Sequence, residues 1–221
     1  MTKIIDLDVK EKVYKSKKAT MSVLNDFKLE VNSGETIAVV GKSGAGKTSL
    51  LNILGLLDRN YRGSYQLFGS KTNEYGLDKL AEWRNQKIGF VLQESALIAS
   101  LTIEDNIRLP LMYAGPEKNA MAAELDGIAG KIGIKHILNK KPLECSGGEK
   151  ARAVFARAVI LQPPLILCDE PTASLDGENK ENILSLLSRM NEEYNTTVIT
   201  VTHDMEVADR HQRKIRLQRE M

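Results

Sequence analysis

The sequence predicts an α/β fold: a mostly parallel β-sheet with helices on both faces, an N-terminal antiparallel β region, and a helical subdomain inserted in the middle. Three observations point there. Short β-type runs alternate with helical patterns in the first ninety residues and again in the last third, an alternation that implies a parallel sheet covered on both faces. A β-branched run, Thr36 to Val40, leads straight into a glycine-rich turn and an amphipathic stretch. From Glu94 to about Ile160 strong strand signals vanish and much of the composition is helical.

Lys3 to Val9 and Met21 to Val31 are strand candidates, the second with apolar residues at Val23, Phe27, Leu29 and Val31. Asn32-Ser33-Gly34 is a turn cluster ahead of the buried-type run Thr36 to Val40. Leu50, Leu51, Ile53, Leu54 and Leu57 fall on one face of a helix from Lys47 to about Leu57. Gly63 to Gly69 reads as a short strand, and so does Lys87 to Gln93. Thr102 to Ala114, Pro116 to Ile132 and Glu149 to Leu161 are predicted helices. Strand Leu165 to Cys168, helix Glu178 to Glu193, strand Thr196 to Val201 and a short strand near Lys214 to Leu217 complete the chain.

Composition excludes several function classes. Lys plus Arg number 31 against 29 Asp plus Glu, a formal charge of +2, which argues against nucleic-acid binding by broad phosphate neutralisation. An aromatic content of 5% offers little for base stacking. No apolar run approaches the roughly 18 residues that cross a bilayer, and Asp6, Asp8 and Glu11 interrupt any signal-like stretch at the N-terminus. Two cysteines, Cys145 and Cys168, make neither a disulfide scaffold nor a metal-ligand spacing. The expectation is a cytosolic globular chain with no membrane segment of its own. Lys12 to Lys18 and the basic residues Arg210, Arg213, Lys214, Arg216 and Arg219 read as solvated faces.

Gly41-Lys42-Ser43-Gly44-Ala45-Gly46-Lys47-Thr48 fits G-x-x-x-x-G-K-[ST] without mismatch, in the strand–loop–helix setting that motif requires. Its glycines let successive N–H groups turn toward one point, where a helix N-terminus adds positive potential. Lys47 is placed to reach β- and γ-phosphates, and Thr48, followed by Ser49, to offer a hydroxyl to Mg²⁺. A nucleotide is expected here, on a P-loop NTPase core.

Leu165 to Cys168 ends in Asp169-Glu170. Neighbouring carboxylates repel unless a cation is near, and Mg²⁺–nucleotide supplies one. Asp169 is expected to orient the metal shell and Glu170 to polarise an attacking water. Ser146 and Glu149 have the S-x-x-E spacing of a capping box. That spacing leaves Gly147 and Gly148 unexplained, since each glycine in a helix costs about 0.8–1 kcal/mol relative to alanine. Close approach of a phosphate to their N–H groups supplies a reason.

Together, the phosphate loop, the Ser-Gly-Gly-Glu helix start and the strand ending Asp-Glu-Pro resemble the ATP-binding subunits of ABC transporters, over essentially the whole chain. The resemblance implies one ABC-type domain, residues 1–221, with an ATP-binding core of 1–93 and 158–221 and a helical subdomain of 94–157. It implies ATP and Mg²⁺ as cofactors. It implies Tyr14 stacking on adenine, Gln93 sensing Mg²⁺ and water, Ser174-Leu175-Asp176 crossing to a partner copy, His203 contacting the γ-phosphate, and Glu170 as catalytic base. Other readings stand beside these: Tyr14 as a surface tyrosine, Asp176 as a turn residue, and His203 near a helix start capped by Asp204.

The family pairs two copies head to tail, the Ser146–Gly148 element of one facing the nucleotide of the other, so ATP would close the dimer and hydrolysis reopen it. The implied partners are that second copy and a separately encoded membrane permease, on the inner face of the cell membrane, with no nucleic acid; Leu97, Ile98 and Leu101 are expected at the docking surface. Leu51 to Asp58 and Ile88 to Gly115 look like the subgroup that drives lipoprotein release, macrolide or peptide export and peptide-antibiotic resistance. The alternative is an ATPase regulating a non-transporting membrane partner. Cys145 stands where leucine is usual, Glu149 where glutamine is commoner and Ala99 where proline is frequent. Glu149 is expected to weaken ATP-driven closure by placing negative charge near a triphosphate.

Overall fold

The computed structural model describes residues 2–15, 20–92, 96–115 and 124–217. Strands β1 (Lys3–Lys15), β2 (Thr20–Asn32), β3 (Thr36–Val40), β4 (Arg62–Leu67), β5 (Ser70–Lys71), β6 (Ile88–Leu92), β7 (Leu165–Asp169), β8 (Thr197–Thr202) and β9 (Arg213–Arg216) form two sheets. The first is antiparallel in the order β2-β1-β4-β5, and the second is parallel in the order β6-β7-β8-β3-β9. The helices are α1 (Lys47–Leu54), α2 (Leu77–Lys87), α3 (Ile103–Ala114), α4 (Leu125–Ile132), α5 (Gly147–Val159), α6 (Gly177–Tyr194) and α7 (Met205–Asp209).

The period-two pattern explains how two cores share one sheet. On β7, Leu165 and Leu167 face a cluster that includes Leu50 and Leu54 of α1, Leu80 and Trp83 of α2, and Ile5, Leu7 and Val9 of β1. Ile166 and Cys168 face the opposite cluster, with Ile103 and Ile107 of α3, Phe155 and Val159 of α5, and Ile183 of α6. Burial on both faces is what a near-continuous apolar run requires. Cys145 lies in this second cluster, where it serves as a small hydrophobe in the place expected for leucine.

Several elements depart from expectation. Strand β1 runs to Lys15, not Val9, because the charge-rich tail continues the ladder: Glu11 pairs with Asn25 and Tyr14 with Met21. Lys12 is buried there, its ammonium 2.6 Å from Asp58 and 2.8 Å from the Asn60 carbonyl. Helix α2 was not expected, since only Leu80 and Trp83 of its eleven residues are buried. The predicted helix from Pro116 begins, among the described residues, at Leu125; residues 116–123 lie outside them.

Candidate functional site

Register places the functional residues at one edge. Val40 pairs with Thr202 and Asp169 with Val201, so β3, β8 and β7 end side by side. The loop after β3, the carboxylates after β7 and Thr202-His203 after β8 therefore meet beyond the carboxyl ends of the parallel strands, where open α/β sheets bind ligands.

The loop is shaped by backbone that only glycine adopts easily. Gly44 and Gly46 have φ of 76° and 91°, and a Cβ on Gly46 would lie 2.7 Å from the Val23 carbonyl. Gly46 begins α1 without a side-chain cap, so the first N–H groups of that helix are left for an anion. Lys42, Ser43 and Gly44 are exposed and Ala45 is buried. Lys47 Nζ donates to the carbonyls of Gly41 at 2.8 Å and Lys42 at 3.3 Å.

Thr48 Oγ1 donates to Asp169 Oδ2 at 3.4 Å. Burial, then the like charge of Glu170, pushes the Asp169 carboxyl above its ordinary range, opposed by Thr48 and Lys47. That is a carboxylate a divalent cation would stabilise. The described residues contain no group of three or more His, Cys, Asp or Glu side chains that could by themselves hold a metal ion. The pair fits Mg²⁺, which takes one or two protein oxygens and completes its shell from phosphate and water.

Glu170 has φ of 46°, in the left-handed region uncommon for a side chain that size. Its N–H donates to the Val201 carbonyl at 2.9 Å. Its carboxylate, 13% exposed, is held from two sides: Thr202 Oγ1 donates to Oε2 at 3.0 Å, and His203 Nδ1 lies 2.7 Å from Oε1. Thr202 was not singled out from the sequence, because only the β7–β8 pairing reveals its contact. Asp204 caps α7, accepting from the N–H groups of Glu206 and Val207; His203 thus sits just before that cap and also beside Glu170.

Tyr14 is 43% exposed. Its hydroxyl is 3.2 Å from Ser49 Oγ and 3.4 Å from Asp58 Oδ2, while Lys12 Nζ stands 4.5 Å from the ring centre. Ser49 is itself buried, so its hydroxyl anchors the tyrosine to the start of α1. Burial raises the Asp58 carboxyl, but the hydrogen bonds from Lys12 and the Asn60 N–H outweigh it and hold the group below its usual range. Gln93, together with Glu94 and Ser95, lies outside the described residues.

Ser146 and Gly147 are exposed at the start of α5. The capping box is reciprocal: the Glu149 N–H donates to Ser146 Oγ at 3.2 Å and the Ser146 N–H to Glu149 Oε2 at 2.7 Å. His136 Nε2 lies 3.0 Å from Glu149 Oε1. The Ser146 N–H, with His136 adding and burial opposing, brings the Glu149 carboxyl down to about 2. A Cβ on Gly147 would meet nothing within 4 Å, whereas one on Gly148 would lie 2.1 Å from Asn179 Oδ1. The two glycines thus have different reasons, and only Gly147 faces open space. Asp176 caps α6, accepting from the Asn179 N–H at 2.9 Å. Among the described residues no hydrogen bond joins Ser146–Gly148 to Gly41–Ser49.

The description "ABC transporter" matches residues 24–173. The lipoprotein-releasing system ATP-binding protein LolD of Idiomarina loihiensis is 38% identical over 193 residues, covering 87% of this chain and 85% of that protein. The macrolide export ATP-binding/permease protein MacB of Mannheimia succiniciproducens is 37% identical over 93% of this chain, which spans 32% of that longer protein. Among solved structures, the dimeric post-hydrolysis state of the ATP-binding cassette MJ0796 bound to ADP and Pi superposes with a TM-score of 0.87 at 37% identity, covering 97% of this chain and 94% of that one.

Proposed function

The chain belongs to the ABC transporter family as an ATP-binding, ATP-hydrolysing subunit, and from that premise we propose how its residues divide the work. Two copies close head to tail, each ATP held between Gly41–Ser49 of one and Ser146–Gly147 of the other. The observation that carries this reading is the separation inside one chain: Ser146 and Gly147 are exposed, and no described hydrogen bond ties them to the phosphate loop. Dimeric relatives support it.

In this scheme the Tyr14 ring stacks on adenine. The loop N–H groups and Lys47 hold the β- and γ-phosphates. Thr48, Asp169 and Gln93 hold Mg²⁺, which when bound neutralises phosphate charge. Glu170 accepts a proton from the attacking water as that water's oxygen bonds the γ-phosphorus and the bond to ADP breaks. Thr202 keeps the carboxylate aimed, His203 contacts the γ-phosphate, and Asp176 belongs to the loop that crosses between copies. Loss of the γ-phosphate removes the shared contact and the dimer reopens.

Residues 94–157 then act as a helical subdomain that passes the motion from the core of 1–93 and 158–221 to a separately encoded membrane permease. Among the described residues no helix is long and apolar enough to cross a membrane, so residence at the inner membrane face comes from that permease. Ile98 is 46% exposed and suits the docking surface, as do Met112 and Tyr113 at 73% and 77%; Leu97 packs against the core instead. By likeness to the lipoprotein-releasing and macrolide-export relatives, the cargo is a lipoprotein, antibiotic or peptide moved outward.

Glu170→Gln tests the scheme. Turnover should fall about 100-fold or more, the usual scale for a lost general base, with ATP binding kept and a stable dimer seen by sedimentation in Mg²⁺–ATP. A variant that stays monomeric both alone and with its permease would sink the proposal, and unchanged turnover would remove Glu170 from the base role.

A further inference from the structure

Gly148 is buried at the first turn of α5, and the three heavy atoms nearest to a Cβ built there all belong to one side chain. That side chain is Asn179, in the first turn of α6. The Asn179 amide has one consistent orientation, because arginine only donates and a carboxylate only accepts. Its Oδ1 accepts from Arg152 Nη1 of α5 at 2.6 Å. Its Nδ2 donates to both oxygens of Asp176, at 2.9 and 3.0 Å, and its N–H donates to Asp176 Oδ1 at 2.9 Å. The amide can swing aside only by giving up these three bonds, so a side chain at position 148, 2.1 Å from Oδ1, would break the cluster.

We infer that Asn179 is a positioning residue that locks the Ser146–Gly147 helix start to the Ser174–Asp176 loop, so that one copy presents both as a single preassembled surface to the nucleotide of the other. The inference rests on the head-to-tail reading above and deepens it. Each half of the surface alone is a helix start on its own loop. Arg152 reaches across from α5 and Asp176 from α6, and Asn179 is the group both touch. The surface is then ordered before the partner arrives, which lowers what closure must spend on ordering side chains. Gly148 is required by Asn179, and Gly147 by the ligand.

The test measures ATP-dependent dimerisation of the full chain by sedimentation, in the Glu170→Gln background, beside monomer affinity for ATP at low protein concentration. Asn179→Ala should weaken the dimer about tenfold or more while monomer affinity for ATP stays within twofold. Gly148→Ala should weaken the dimer similarly, and adding it to Asn179→Ala should cost less than a further twofold, because the clash has gone. Asn179→Asp, which keeps Oδ1 for Arg152 but faces Asp176 with a second carboxylate, should match Asn179→Ala. Two results would overturn the inference alone: an Asn179→Ala dimer as tight as the parent, or a Gly148→Ala defect that persists at full size without Asn179. If the parent Glu170→Gln protein never dimerises, the head-to-tail reading fails first and takes this inference with it.

Discussion

The edge around the phosphate loop and the start of α5 are built on opposite plans. At the edge, strand register and internal hydrogen bonds bring Thr48 to Asp169 and Thr202 and His203 to Glu170 within one chain. At α5 the hydrogen bonds run away from the edge, from Ser146 to Glu149 and His136 and through Arg152 to Asn179. In the proposed scheme the first region binds a nucleotide by itself. The second is equally ordered, with Ser146 and Gly147 exposed, as the proposed head-to-tail pairing requires. The contrast teaches why the proposed scheme gives the two regions different ligands: one is assembled within the chain, and the other is left exposed for a second copy.

The sharpest way to break the contrast is Ser146→Arg. A bulky cation at the exposed cap should abolish ATP-dependent dimerisation and lower turnover about 100-fold or more, with monomer affinity for ATP unchanged. Loss of the cap costs about 1 kcal/mol, too little to unfold a chain of ordinary stability. Weakened monomer binding, read by fluorescent-nucleotide titration, would count against the division of labour.

On the other side, Tyr14→Ala should weaken monomer affinity for ATP about tenfold, within the range for one base-stacking aromatic. Tyr14→Phe keeps the ring and loses only the bonds to Ser49 and Asp58, so affinity should change about twofold or less. Equal losses in both variants would show that the hydroxyl, not the ring, is what matters.

Smaller than the loss expected for Tyr14→Ala is the effect of Glu149. Its carboxylate already accepts from the Ser146 N–H and His136, which disperses part of its charge. Glu149→Gln should therefore tighten ATP-dependent dimerisation by about threefold or less; no change would count against the electrostatic argument. The folded-state value is depressed to about 2 from 4.5, so this group's stabilisation is full above about 4.5 and lost as pH falls toward 2. The thermal midpoint of the natural protein should fall more over that interval than that of Glu149→Gln. Parallel curves would show that the cap is not charge-assisted.

Much of this was legible from residue order. Gly41 to Thr48, Asp169-Glu170 and Ser146 to Glu149 are short local patterns whose chemistry needs neighbours in sequence, and the structure puts each at a strand end or helix start. Helix α2 was hidden because two buried residues in eleven leave almost no apolar stripe. The tail of β1 was hidden because Lys12 looks like a surface charge until Asp58 and Asn60, more than forty residues on, come to meet it. The capping box at Ser146 and Glu149 was readable from a three-residue spacing, but the reason for Gly148 was not, since Asn179 lies thirty-one positions away in a different helix.

Residue order by itself determined the alternation of strands and helices, the glycine-shaped loop, the paired carboxylates and the capped helix start, because each depends on side-chain periodicity or on hydrogen bonds within a few residues. Only the tertiary structure decided that Thr202 steadies Glu170, that Lys12 and Ser49 hold Tyr14, and that Asn179 joins α5 to α6. Those contacts depend on strand register and helix packing, and no local spacing encodes which distant polar groups will finally share a hydrogen bond.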